Sequence, residues 1–137
     1  MRPEGCTELV AYWWSQAQAS LASARRELEA GAYPFAVNRL YYAAFYGASA
    51  ALLDRAISSK RHSGVRAAFH REFIKNGPLA PEWGKLYDQL FEDRQEADYI
   101  ALVWFEREYV EAQLDRCDEF LTQLRPLISG LPGSAGR

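Results

Sequence analysis

The chemistry this chain could perform starts from an arginine standing where an apolar side chain would pack. Trp83, Tyr87, Leu90 and Arg94 recur at helical spacing, so the guanidinium falls at the end of a core-facing stripe. Such a residue either snorkels at the domain edge or sits in a pocket with partners. Asp98, one turn on, is placed to orient the guanidinium through charge-assisted hydrogen bonds, to form a plain surface ion pair, or to cap the turn before the next helix. Asn38 and Tyr42, one turn apart, put an amide and a phenol on a second stripe. There they serve a polar cavity or set the register of a helical interface. Arg39 adjoins Asn38 and points into the same cavity or lines a solvated edge.

A second cationic feature is the run Lys60-Arg61-His62-Ser63-Gly64 at the expected start of a helix, where free backbone amides and cations together favour an anion such as phosphate. His62 is the side chain there whose ordinary pKa suits proton transfer near neutrality, although a lone loop histidine is commonly just solvated. His70, on the polar side of the same helix, carries less weight.

These residues must be positioned by helices. Val10, Trp14, Ala17, Leu21, Ala24 and Leu28 alternate by four and three, the signature of one buried face; Thr7 is placed to cap that helix and Gly31 to end it. Pro34 suits the first turn of a second helix running to about Ile57, with Phe35, Asn38, Tyr42, Phe45, Ser49, Leu52 and Leu53 as its stripe. A third helix carries Val65, Phe69 and Phe73 and stops at Asn76-Gly77-Pro78; a fourth begins near Pro81. After a short stretch from Asp98 to Trp104, the last helix buries Val110, Leu114, Cys117, Leu121, Leu124 and Ile128. No period-two run and no repeat competes with this pattern. The expectation is a single all-α domain over residues 1–137, an up-and-down bundle of four to five helices with 1–6 and 130–137 frayed.

Composition narrows the function classes. The chain has 137 residues, enough for one core. A net charge of −2 means that any nucleic-acid contact rests on a local basic patch, which argues against a duplex-DNA binder. Aromatic residues reach 14%, many of them within helices, as suits an aromatic-lined pocket or a dimer interface. Cys6 and Cys117 have no metal-ligand spacing, and the chain holds no phosphate loop, dinucleotide fingerprint, nucleophile elbow or zinc-protease motif, so no cofactor or metal is expected. Residues 1–6 lack a signal-peptide core and no apolar run is long enough to span a bilayer, from which a reduced cytoplasmic chain is expected.

Three segments together carry a family resemblance: Ala36-Val37-Asn38-Arg39-Leu40-Tyr41-Tyr42-Ala43-Ala44-Phe45, Lys60-Arg61-His62-Ser63-Gly64-Val65 and Arg94-Gln95-Glu96-Ala97-Asp98-Tyr99. In that order the chain resembles the HEPN proteins, in particular their small stand-alone prokaryotic branch, over nearly its whole length. The resemblance implies a helical bundle that pairs two-fold, often encoded beside a minimal nucleotidyltransferase as toxin and antitoxin. Many such relatives are metal-independent endoribonucleases, in which an Arg followed four to six residues later by a His lines a cleft between subunits. The Arg holds the scissile phosphate and the His assists proton transfer as the ribose 2′-hydroxyl attacks. Arg94 matches the Arg, but Tyr99 stands where the His would fall, and a tyrosine is a poor base at neutral pH. His62 is the candidate substitute. Some relatives are silenced by nucleotidylation of a tyrosine two residues beyond the His, a position that here is Ala101, so Tyr99 is a weaker modification target.

Three functions follow as alternatives. One is an RNA-directed toxin or defence module with Arg94, Asp98, Tyr99 and His62 as its chemistry and Asn38, Arg39, Tyr42, Lys60 and Arg61 as its RNA or nucleotide contacts. A second is a non-catalytic module that binds a nucleotide or a nucleotidyltransferase partner. The third is a structural homodimerisation domain in which Asn38, Arg94 and Asp98 fix register.

Overall fold

The computed structural model describes residues 4–131, with side chains from Thr7 onward, and these form helices and turns with no strand among the described residues. Helix α1 spans Glu4–Glu29 and α2 Tyr33–Asp54; α3 (His62–Phe69) continues into a wider π-helical segment, His70–Lys75; α4 spans Pro81–Tyr99 and α5 Arg107–Leu124, ending in a 3-10 turn, Arg125–Leu127. All six residues of the α1 stripe are buried, and so are all six of the last stripe, with Ile128 reached just past the 3-10 turn.

Gly31 reverses the chain with φ +77°, where a side chain would be strained, and Pro34 lies in the first turn of α2 where no amide hydrogen is needed. The two helices pack along each other, and α2 also contacts α3, α4 and α5, which makes it the central rod of the bundle.

That central place corrects the stripe expected for α2. The buried residues are Ala36, Val37, Leu40, Tyr41, Ala43, Ala44, Gly47, Ala48, Ala50, Ala51 and Leu52, a broad small-residue surface that lets neighbouring helices approach closely. A Cβ on Gly47 would stand 2.7 Å from Leu121 Cδ2 of α5. Phe35 is exposed, and Asn38, Tyr42, Phe45 and Ser49 are half-buried on a face that the other helices leave partly open.

The ends of several helices also differ from expectation. Helix α1 begins at Glu4, so Thr7 lies inside it rather than capping it. Helix α2 stops at Asp54 rather than Ile57, because Ala56 turns left-handed (φ +63°) and the amides of Arg55, Ala56 and Ile57 bond back to the carbonyls of Leu52 and Leu53. Helix α4 runs through Asp98 to Tyr99, and the residue preceding α5 is Glu106, so Asp98 does not cap the last helix. At the end expected to fray, Asp54 receives the backbone amides of Ser129 and Gly130, at 3.1 and 3.0 Å, and Leu131 is buried. Residues 1–3 and 132–137 of the expected loose ends lie outside the described residues.

No described helix is long and apolar enough to cross a membrane. Cys117 is fully buried on α5, its thiol pushed up to about 12 by burial, with Sγ 3.6 Å from the Leu40 carbonyl. The side chain of Cys6 lies outside the described residues.

Candidate functional site

The last two turns of α4 face the first half of α2, and the polar residues of both meet there. Arg94 Nε donates to Asp98 Oδ2 at 2.9 Å, and Arg94 Nη2 donates to the Tyr42 hydroxyl at 3.2 Å. Asn38 Nδ2 donates to both carboxylate oxygens of Asp98, at 3.2 and 3.1 Å, which ties α2 to the end of α4. Arg39 closes the group by donating from Nε and Nη2 to Asn38 Oδ1, at 2.9 and 2.7 Å. Side-chain exposure is 15% for Arg94 and 25% for Asp98, so the pair is mostly withdrawn from solvent without being sealed.

The guanidinium has five N–H donors and two are engaged, which leaves three for an anion. Arg94 pairs with Asp98 while Arg39 is held by the Asn38 amide oxygen, so the cluster carries two cations and one carboxylate, a net positive charge. Arg94 also lies 5.3 Å from the ring centres of both Tyr41 and Tyr42, whose faces favour a cation, and 5.9 Å from that of Tyr99. Tyr99, the last residue of α4, is 70% exposed.

His62 opens α3 and its ring reaches this cluster from the other side. It stacks on Phe45 with centroids 4.2 Å apart and planes 24° apart, and lies edge-on to Tyr42 at 5.7 Å. His62 Nδ1 is 3.0 Å from the Tyr41 hydroxyl. Partial burial, and then the Arg94 charge, lower the His62 pKa below its ordinary value, so the ring is neutral at pH 7. Burial pushes the Tyr41 phenol up to about 12, against an opposing pull from Arg94, so it stays protonated. Lys60 and Arg61 are exposed beside His62 and make no ion pair among the described residues; Lys60 lines a groove that starts at the His62–Phe45 stack.

Arg94, Asp98, Tyr42, Asn38, Arg39 and His62 thus converge, Tyr99 stands at the rim, and Lys60 and Arg61 flank the approach. Tyr41, which the sequence did not single out as a site residue, is a fully buried core residue whose hydroxyl also holds the His62 ring. His70 lies outside the cluster, its Nε2 2.9 Å from Asp88 Oδ1, which Arg66 Nε shares at 2.9 Å. Among the described residues no three His, Cys, Asp or Glu side chains converge as metal ligands.

A second sequence-silent element braces the site from behind. Asp93, next to Arg94 but on the buried side of α4, accepts from the Tyr109 hydroxyl at 2.6 Å and from Gln89 Nε2 at 2.9 Å. Helices α4 and α5 also meet through Trp83 and Tyr87 against Phe120 and through Arg116 over the Trp83 ring, and this bond adds a buried polar tie to that aromatic contact.

The sequence model of the HEPN domain matches residues 10–126. The chain belongs to the HEPN family. A UPF0332 protein of Thermotoga maritima is 42% identical over 124 residues, covering 90% of this chain and 94% of that protein. A protein of Methanocaldococcus jannaschii that carries a toxin name is 36% identical over 113 residues, 82% of this chain and 77% of its own length. A second toxin-named protein of that organism is 34% identical over 85 residues, 62% of this chain and 63% of its own length. The segments of the HEPN resemblance, Ala36 to Phe45, Lys60 to Val65 and Arg94 to Tyr99, all fall within the matched range and contribute the side chains of the polar cluster.

Proposed function

We propose that this HEPN protein is an RNA-directed toxin or defence module that cleaves RNA without a metal. The observation that carries the reading is the Arg94 guanidinium, held in a half-buried pocket by Asp98 and Tyr42 with three donors to spare. A phosphodiester is the anion such a fork fits, and stabilising its charge in a partly dry site is the main catalytic term open to these residues. Attack of the ribose 2′-oxygen on phosphorus breaks the bond to the 5′-oxygen and leaves a cyclic phosphate and a 5′-hydroxyl. The net movement is one proton from the 2′- to the 5′-oxygen. His62, neutral at pH 7, handles that proton, while Asn38, Arg39, Lys60 and Arg61 position the strand and Tyr99 donates to a phosphate oxygen. The working unit is a homodimer in the cytoplasm, held in check by a minimal nucleotidyltransferase antitoxin. The toxin names of the relatives support the coarser part of this reading.

Induced expression in a bacterial host is expected to arrest growth and to yield RNA fragments ending in 2′,3′-cyclic phosphate, and Arg94→Ala is expected to abolish both. Normal growth with intact transfer and messenger RNA on wild-type expression would overturn the nuclease reading.

One observation favours a second reading, a non-catalytic module that binds a nucleotidyltransferase: Tyr99, 70% exposed, stands where the family's histidine is expected. In that case the two proteins co-purify as a complex and no RNA is cut; failure to co-purify counts against it.

A further inference from the structure

We propose that the groove on the far side of His62 from Arg94 is a subsite for one unpaired base of an RNA strand, with Lys60 taking the adjoining phosphate. This rests on the RNA reading above and deepens it. The cavity, about 480 Å³, lies within the size range of small-ligand sites and is walled by Trp13, Phe45, Leu53 and Ile57, with Ser49 and Ser58 presenting hydroxyls. Its wall is continuous with the Arg94 cluster, because the His62–Phe45 stack belongs to both.

The chemistry of the lining selects the occupant. Among the described residues no carboxylate lines the groove, while Lys60 stands at its edge and Arg61 beside it, neither of them in an ion pair with those residues. The Ser49 and Ser58 hydroxyls make no hydrogen bond among the described residues, so both are open to donors and acceptors on a ring edge. A flat heterocycle with a polar edge and an attached phosphate matches all three features, whereas a purely apolar occupant would leave the serines and the lysine unanswered. Aromatic walls beside a cationic track are how single-stranded nucleic acid is held. The subsite would place the phosphate next to its base within the approach to Arg94, so that the groove biases which nucleotide precedes the cut.

The test uses the full chain and an uncleavable 2′-fluoro single-stranded RNA oligomer, with affinity read by fluorescence anisotropy. Ser58→Trp fills the mouth of the groove from an exposed position and is checked for an unchanged melting temperature. Expected are a loss of about tenfold in affinity for Ser58→Trp, the size of one stacked base, and a shallower salt dependence for Lys60→Ala. An oligomer of abasic residues is expected to bind wild type and Ser58→Trp equally. Unchanged affinity in Ser58→Trp together with a loss in Arg94→Ala overturns the groove and leaves the RNA reading standing. A tenfold loss in Ser58→Trp with no toxicity of the wild type supports the groove and overturns only cleavage. Binding of free mononucleotides without binding of the oligomer, or no RNA binding at all, overturns the proposal.

Discussion

The hydrogen bond between Tyr41 and His62 sets what the histidine can do. The Tyr41 hydroxyl and His62 Nδ1 are hydrogen-bonded at 3.0 Å, and the tautomer of the ring decides which of the two donates. With Nδ1 accepting, the proton of the neutral ring sits on Nε2, which can then only hydrogen-bond to a phosphate oxygen; with Nδ1–H donating to the Tyr41 oxygen, Nε2 is free to take the 2′-proton and pass it on, the role proposed above. Nitrogen-15 shifts are expected to show the Nδ1–H tautomer; an Nε2–H ring would leave His62 a hydrogen-bond donor and take from it the role of base. The same spectra test its electrostatics. Because burial and Arg94 disfavour the imidazolium, His62 is expected to titrate below the ordinary histidine value of 6.5, and Arg94→Ala to move that midpoint upward. A histidine whose folded pKa is depressed adds stability above its unfolded pKa and loses it as pH falls through the folded one, so the protein is expected to melt lower at pH 5 than at pH 7. His62→Gln should shrink that difference. Arg94 was visible from sequence because a charge interrupts an apolar stripe. Tyr41 was not, since nothing in a buried tyrosine's spacing says where its hydroxyl points.

At the scale of elements, α2 carries Asn38, Tyr41, Tyr42, Phe45 and Ser49 on one rod, and α4 presents Arg94 and Asp98 to it. Polar ties keep that presentation in register: Asn38 to Asp98 and Arg94 to Tyr42 at the front, and Tyr109 to Asp93 behind. Tyr109→Phe leaves a buried carboxylate with only Gln89, and is expected to lower stability by about 1–3 kcal/mol in urea unfolding and to weaken any Arg94-dependent activity more than a distant change of equal cost. Ala56→Gly is expected to raise stability by about 0.5–1 kcal/mol, because alanine is strained at the left-handed end of α2; an unchanged midpoint would contradict that account. The stripes of α1 and α5 were legible because each has one buried face. The stripe of α2 was only partly readable for the opposite reason: a central helix is covered on most sides, its core face is largely alanine, and of the expected residues Leu52 is buried and Leu53 packs on the core while Tyr42 and Phe45 line the site. The end of α2 was also hidden, since its left-handed residue is Ala56 and not a glycine.

For the whole molecule, the exposed apolar residues are unevenly placed. Tyr99, Ile100, Leu102 and Trp104 follow Arg94 and Asp98 along the chain, and Phe35 lies one turn before Asn38, so five large exposed side chains lie close in sequence to the residues of the polar cluster. Such a patch is what a self-complementary interface would cover, and it supports the proposed two-fold dimer with a cleft between two Arg94 clusters. Leu102→Glu combined with Trp104→Glu is expected to convert a dimer to a monomer in sedimentation and to abolish toxicity while the melting of the monomer stays close to wild type; a variant that remains dimeric would place the interface elsewhere.

The burial of α2 within the bundle has a consequence in time as well as in space. Amides of the buried residues along its Ala-rich face, from Ala43 to Ala51, are packed between neighbouring helices, so their exchange with solvent deuterium is expected to require unfolding of the whole domain. Amides of Ile100 to Phe105, outside any helix, should exchange in local openings. The half of the site carried by α2 therefore has the lifetime of the native fold, whereas the rim around Tyr99 can rearrange many times within it.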